Sequence, residues 1–206
     1  MNKVVIIPSS ARFSFFLGLF IFFQTFDMLA QQVEKYEVSI AGLTIGQMTA
    51  QKTERMGEVR YHIKSLVSFW FFGKINLDYS IQSIYKEGKL IRGEANSKTN
   101  RGDFRSLVEW NKDHYKVTAR NYKYEKDTLI HKPMFFSSPV FYFEEPKNMK
   151  EFIAEPFGLP SPIRKRTDHY EVVVNGNKNR FYYVDGKLDK AVIEFPIKNY
   201  VVKRIQ

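Results

Sequence analysis

Cysteine is missing from the 206-residue chain. That excludes a disulfide framework, thiolate metal sites and a lipid-modified cysteine, and leaves stability to packing alone. Helical periodicity is missing too: no stretch of about twelve residues repeats its apolar side chains every 3.6 positions. No apolar run reaches the roughly twenty residues that a bilayer-spanning helix needs. There is no GxSxG elbow, no Gly-rich phosphate loop and no zincin motif. The histidines His62, His114, His131 and His169 form neither HxH nor HxxxH, so no zinc-site spacing is legible. Carboxylates pair as Glu144-Glu145 and as Glu151 with Glu155. They read as solvated faces or ion pairs with Lys147 and Lys150, not as an acid/base couple facing one cleft. The expectation is a protein that is not an enzyme and carries no cofactor or metal.

Aromatic residues are abundant, with 19 Phe and 12 Tyr, and such side chains suit a pleated, half-buried surface. From Val33 onward the pattern alternates with period two. "YEVSI" sets Tyr36, Val38 and Ile40 against Glu37 and Ser39. "YHIKSLVSF" sets Tyr61, Ile63, Val67 and Phe69 against His62, Lys64 and Ser68. "INLDYSI", "FRSLVEW" and "HYKVTA" continue it. Each is the signature of a strand with one buried and one wet face. Glu87-Gly88, Asn175-Gly176 and Asp185-Gly186 fit two-residue hairpin turns, which demand positive φ. "RGD" at Arg101–Asp103 reads as another turn. Strands joined so tightly are antiparallel neighbours. About seven strands are expected from Val33 to Ile130 and about four from Arg166 to Gln206.

The first thirty residues differ. Lys3 and Arg12 are their only charges before Asp27, and "FSFFLGLFIFF" forms an uncharged core of signal-peptide length at Phe13–Phe23. A cut after Ala30 is expected, leaving residues 31–206 as a single β domain. The net charge of +10 falls only to +9 on that cut. For an exported protein the matching anions are headgroups or envelope polymers rather than nucleic acid. Arg164, Lys165 and Arg166 are the densest basic cluster and the candidate anion- or membrane-facing residues; a solvated strand entry is the alternative.

Six of the eight prolines fall between Pro133 and Pro162, which excludes central sheet there. "SSPVFYFEEP" predicts a short helix with Ser138 as N-cap and Pro139 at its first position. "KNMKEFIAEPFG" allows another helical turn or two, with Glu151 and Glu155 on one face. Residues 132–163 are thus expected as a Pro- and aromatic-rich plug. Its aromatic side chains carry too much apolar area to lie bare on a monomer. Off the alternation, "SFWFFG" at Ser68–Gly73 adds a second aromatic group. Two readings stay open. Either the plug completes the core, or it is a lid over an apolar ligand held by Trp70, Phe71, Phe135, Phe136, Phe141 and Phe143.

"YEVSIAGLTIGQMTA" resembles the opening "Y-x-V-x-x-x-G-x-x-x-G" of a family of uncharacterised exported proteins of Gram-negative bacteria. "SSPVFYFEEP" with "FIAEPFG" is similar to their middle segment, and "HYEVVVNGNKNRFYYVDGKLDKAVIEFP" to their closing hairpins. The resemblance spans the mature chain and implies a domain of unknown function. Some related exported families look like the half-barrel of periplasmic lipoprotein carriers, in which a curved antiparallel sheet wraps short helices around an apolar cavity, and the resemblance implies a similar half-barrel here. The expected fold is therefore mainly β: a curved antiparallel sheet of about eleven strands, a half-barrel or open barrel, with the helical plug over its concave face. A closed barrel or a two-sheet sandwich would share the pattern. The expected role is non-catalytic binding or carriage of an apolar or lipid-like ligand in the periplasm or at the periplasmic face of the outer membrane. Peripheral contact with an anionic membrane or envelope polymer is expected, and no nucleic acid. The alternative is a structural or protein-interaction module of the envelope without a pocket.

Overall fold

A computed structural model of the chain describes residues 30–70, 74–100, 102–121, 123–194 and 199–205. The expected signal segment lies outside the described residues except for Ala30, which opens the first strand. Among the described residues there are fourteen strands: β1 (Ala30–Ile40), β2 (Leu43–Arg55), β3 (Glu58–Trp70), β4 (Lys74–Lys86), β5 (Lys89–Thr99), β6 (Gly102–Asn111), β7 (His114–Asn121), β8 (Tyr124–Ile130), β9 (Glu151–Ala154), β10 (Leu159–Lys165), β11 (Tyr170–Val174), β12 (Asn177–Val184), β13 (Lys187–Ile193) and β14 (Tyr200–Ile205). They form one antiparallel sheet in the order β8-β7-β6-β5-β4-β3-β2-β1-β14-β13-β12-β11-β10-β9. β8 and β9 end the order without pairing to each other, so the sheet is open.

The strand count corrects the expected eleven. β1–β8 account for residues 30–130, and β11–β14 for the predicted closing hairpins. The surplus includes β9 and β10, inside the Pro-rich region. Proline tolerates a strand only where its missing N–H is not needed. Pro160 and Pro162 lie where β10 pairs with β9, while its pairing with β11 begins only at Ile163. The prolines therefore sit where the strand has a neighbour on one side.

The helical plug is also corrected. Its helix is a single 3-10 turn, Ser138–Tyr142, with Pro139 in its first turn and no side-chain cap from Ser137. The second expected helical stretch is instead β9 and the turn after it. Glu151 and Glu155 do not share a helix face: Glu151 pairs with Lys132, whereas Glu155 is fully buried.

The hairpin turns follow the sequence. Glu87, Asn175 and Asp185 have φ of 53°, 47° and 50°, and the glycines after them 74°, 82° and 74°, as a type I′ turn requires. Alternation is equally direct, with Tyr36, Val38, Tyr61, Ile63, Tyr115 and Val117 buried and their neighbours toward solvent.

Candidate functional site: the barrel interior

Residues 131–158 leave the edge of the sheet and run through its concave side. The inward rows there set small side chains among larger ones. Pairing sets Ala50, Ile63, Ile81, Ala95 and Ser106 in one row, and Tyr61, Ser83, Gly93 and Val108 in the next. A Cβ on Gly93 would stand 2.7 Å from Glu155 Cγ, and one on Gly158 would stand 2.1 Å from Val117 Cγ1. The smallness of these positions is what admits the plug.

The plug is fixed by hydroxyls from strands far apart in the sheet order. Tyr36 of β1 donates to the Tyr142 carbonyl at 3.0 Å and Tyr183 of β12 to the Phe141 carbonyl at 2.7 Å. These are carbonyls that the end of a helical turn leaves unpaired. Tyr61 of β3 donates to Glu144 at 2.6 Å, Tyr170 of β11 to Glu145 at 2.9 Å, and Tyr124 of β8 to the Phe157 carbonyl at 3.0 Å. One segment thus touches β1, β3, β8, β11 and β12 together, which requires the sheet to wrap around it. Burial would raise the Glu144 carboxyl, but Lys52 and the Tyr61 hydroxyl hold it below its usual value. The Tyr170 hydroxyl is pushed up to about 12 by burial and by its bond to Glu145.

Glu155 was not legible as a core residue. Its Oε1 lies 2.5 Å from Ser83 Oγ, its Oε2 accepts from the Ser138 amide at 3.1 Å, and Ser137 Oγ extends the network to Ser83 at 3.1 Å. Burial pushes its pKa up, against these hydrogen bonds, a shift toward the neutral acid. A serine at an inward position, Ser83 between Ile81 and Tyr85, was the one sequence signal for it.

The six predicted ligand residues separate into groups. Phe136 and Phe141 are buried, with Phe141 stacked on Phe181 at 4.2 Å and edge-on to Phe136 at 4.9 Å and Phe152 at 5.0 Å. Phe143 is half-buried, 5.6 Å from the Tyr61 ring. Phe135 points away and is 53% exposed. Trp70, 78% exposed, ends β3; the nine positions from Tyr61 to Trp70 span roughly 30 Å of extended strand. Phe71 lies outside the described residues. Phe136, Phe141 and Phe143 therefore come together, while Trp70 and Phe135 do not join them.

The basic cluster is divided as well. Arg164, Lys165 and Arg166 are all exposed, but alternation sends Arg164 and Lys165 to opposite faces. Lys165 lies over the Tyr170 ring, and Arg166 is paired to Glu171 at 2.7 Å. Of the histidines, His114 and His131 approach to 5.5 Å between ring centres, a proximity their spacing did not reveal. No group of three or more metal-ligating side chains occurs among the described residues.

Above the plug the interior changes. The next inward rows are Tyr36, Met48, Ser65, Tyr79 and Ser97, then Val38, Gly46, Val67, Leu77 and Thr99. Tyr79, Tyr142 and Tyr200 converge there. Burial raises the pKa of each, and a phenolate on Tyr200 would raise those of Tyr79 and Tyr142 further; the Tyr200 hydroxyl reaches about 12 through burial. All three keep accessible surface, and none of their hydroxyls is hydrogen-bonded within the described residues. β2 and β3 part beyond Gly46 and Val67, and a groove of about 330 Å³ lies at that gap, lined by Ile45, Val67 and Leu77 and by Leu66, Ser68, Asn76 and Asp78 of the outward face.

The family model described as "Domain of unknown function (DUF6134)" matches residues 36–205, and the chain belongs to that family. No curated protein matches it. Among solved structures it is similar to the "Beta-barrel-like Protein of Domain of Unknown Function DUF1849 from Brucella abortus", with a TM-score of 0.56 and 9% identity over 87% of this chain and 98% of that one. At that identity the likeness shows the fold alone: an antiparallel, barrel-like sheet.

Proposed function

We propose that this member of the DUF6134 family is a non-catalytic binding or carrier protein of the cell envelope, holding an apolar or amphiphilic, lipid-like ligand in the open part of its barrel. The observation that carries the reading is the group Tyr79, Tyr142 and Tyr200. Three aromatic rings with unengaged hydroxyls, beside apolar Val67 and Leu77, offer both halves of an amphiphile a partner. The site lies above the plug, because the Phe136–Phe141–Phe152 packing fills the space beneath it. The "FSFFLGLFIFF" run and the lone Lys3 and Arg12 before Asp27 support export to the periplasm or the periplasmic face of the outer membrane.

Native mass spectrometry of protein purified from its own envelope, followed by uptake of a fluorescent fatty acid, tests this. A stoichiometric lipid, and uptake lost in a folded Leu77→Asp variant, are expected. A clean apo mass with no uptake overturns it. A second reading, an envelope interaction module without a ligand, rests on β8, which has a ladder partner on one side only. Such an edge can accept a partner strand, and capture of a protein partner by an apo chain would favour it.

A further inference from the structure

We infer that the ligand is a glycolipid-like amphiphile that lies across the sheet wall, its acyl chain entering between β2 and β3 and its sugar head resting on their outward face. This deepens the chamber reading and rests on it. The wall has a break at that point. The β2–β3 ladder ends at Gly46 and Val67, and beyond it β2 pairs only with β1 and β3 only with β4 among the described residues. The groove of about 330 Å³ at the break has two sides. Ile45, Val67 and Leu77 belong to the apolar core or pack against it. Ser68, Asn76 and Asp78 alternate with Val67 and Leu77 and so face outward. A groove lined by both faces of one sheet spans the wall at that break. Tyr79 is two residues from Leu77 on β4, about 7 Å along the strand, so the inner end of the passage reaches the tyrosine group.

A second groove of about 590 Å³ continues from Gly46 and Leu66 along the outside of β2 and β3. Its bed is a run of paired positions, Gln47 with Leu66, Thr49 with Lys64 and Gln51 with His62. None of these polar side chains makes a hydrogen bond or salt bridge within the described residues. The outward face of β5 and β6 differs, because there Glu94 accepts from Arg92, Asn96 and Arg105. Amides and hydroxyls both donate and accept, as sugar hydroxyls do. Burial, and then the Lys64 ammonium, hold the His62 imidazole below its usual pKa, toward the neutral ring that also does both. Lys35 and Glu37 of β1 and Asp78 of β4 flank the bed. With Lys64 they come to charge balance, which suits an uncharged sugar over an anionic head. The backbone of β2 and β3 along the bed is spent in ladders on both sides, so a peptide strand finds no edge to join there.

The chain has no cysteine, so Ser68→Cys places a single thiol at the outer mouth of the break. In the full chain, reaction of that thiol with a bulky maleimide is expected to slow uptake of a fluorescent fatty acid severalfold relative to unreacted S68C. Displacement of the bound fatty acid by dodecyl maltoside and by dodecanol, both below their aggregation thresholds, reads the head. The maltoside is expected to displace better by about tenfold, and a folded Gln47→Ala/Gln51→Ala variant to lose that preference. Absence of fatty acid uptake by the unmodified protein overturns the chamber reading itself, and this inference with it. Uptake at full rate by the maleimide-modified S68C chain leaves the chamber standing and overturns entry through the wall. A maltoside no better than dodecanol, or a preference that the Q47A/Q51A variant retains, overturns the outward head site.

Discussion

The lower and upper halves of the barrel interior are lined by the same strands with the same alternation, yet they differ in one respect. Around the plug, the strand hydroxyls of Tyr36, Tyr61, Ser83, Tyr124 and Tyr183 each meet an acceptor on residues 131–158; Tyr85 is the exception, its buried hydroxyl without a partner among the described residues. Above it, the hydroxyls of Tyr79, Tyr142 and Tyr200 meet none among the described residues. A tyrosine that finds a partner is there to hold a segment, because a buried hydroxyl left without one is costly. A half-buried tyrosine without one keeps water as its partner and can exchange it for a ligand. The interior thus has a closed floor and, beside it, a region whose tyrosine hydroxyls are unengaged among the described residues; on the reading proposed above that region is the ligand chamber.

The comparison breaks most readily at the floor. Phe141→Ala empties a fully buried ring site with three aromatic neighbours and is expected to cost about 3–5 kcal/mol in urea unfolding; a loss below 1 kcal/mol would mean that the floor is not packed. Glu155→Ala strands the Ser138 amide and is expected to cost about 1–3 kcal/mol. The sign of the pH effect is fixed by the raised pKa. The stability Glu155 contributes as a neutral acid is complete below its unfolded value of about 4.3 and is lost as pH rises through its folded value. Glu155→Gln keeps the shape without the charge, so its urea midpoint should lack that fall between acid and neutral pH; parallel profiles for both proteins would refute a neutral Glu155. The smallest test is the sharpest. Tyr36→Phe removes a bond to a plug carbonyl and should cost about 1 kcal/mol, whereas Tyr79→Phe removes an unengaged hydroxyl and should stay within about 0.5 kcal/mol. Equal losses would erase the distinction between floor and chamber.

Much of the sheet is legible because strand alternation and positive-φ turns are local signals. Tyr36, Val38, Tyr61 and Ile63 face inward as read, and Glu87-Gly88 turns as read. β9 and β10 escaped because Pro160 and Pro162 argue against sheet unless the one-sided pairing of β10 is known, and that pairing is a tertiary fact. The same holds for Glu155, whose burial depends on Gly93 and Ser83, more than sixty residues earlier. In "SSPVFYFEEP" the aromatic spacing identified an interior segment but not its depth. Phe135 and Phe136 are adjacent in sequence, and only the packing of Phe141 decides which one turns inward.

The pairing of β1 with β14 joins the first and last strands of the domain at the centre of the sheet order rather than at an edge. The fold is therefore two meanders, β1–β8 and β14–β9, sewn together by their terminal strands. The first meander can form ladder by ladder from local contacts as the chain is made. The seam cannot form until residue 205 exists, and the floor waits for contacts such as Tyr36 to Tyr142, 106 residues apart. Non-local closure of this kind is slow. During that interval β1 has a bare edge and the concave face has no plug, so the growing chain presents its stickiest surfaces until β14 pairs with β1. Shortening the chain by its last strand would leave the molecule in that condition permanently.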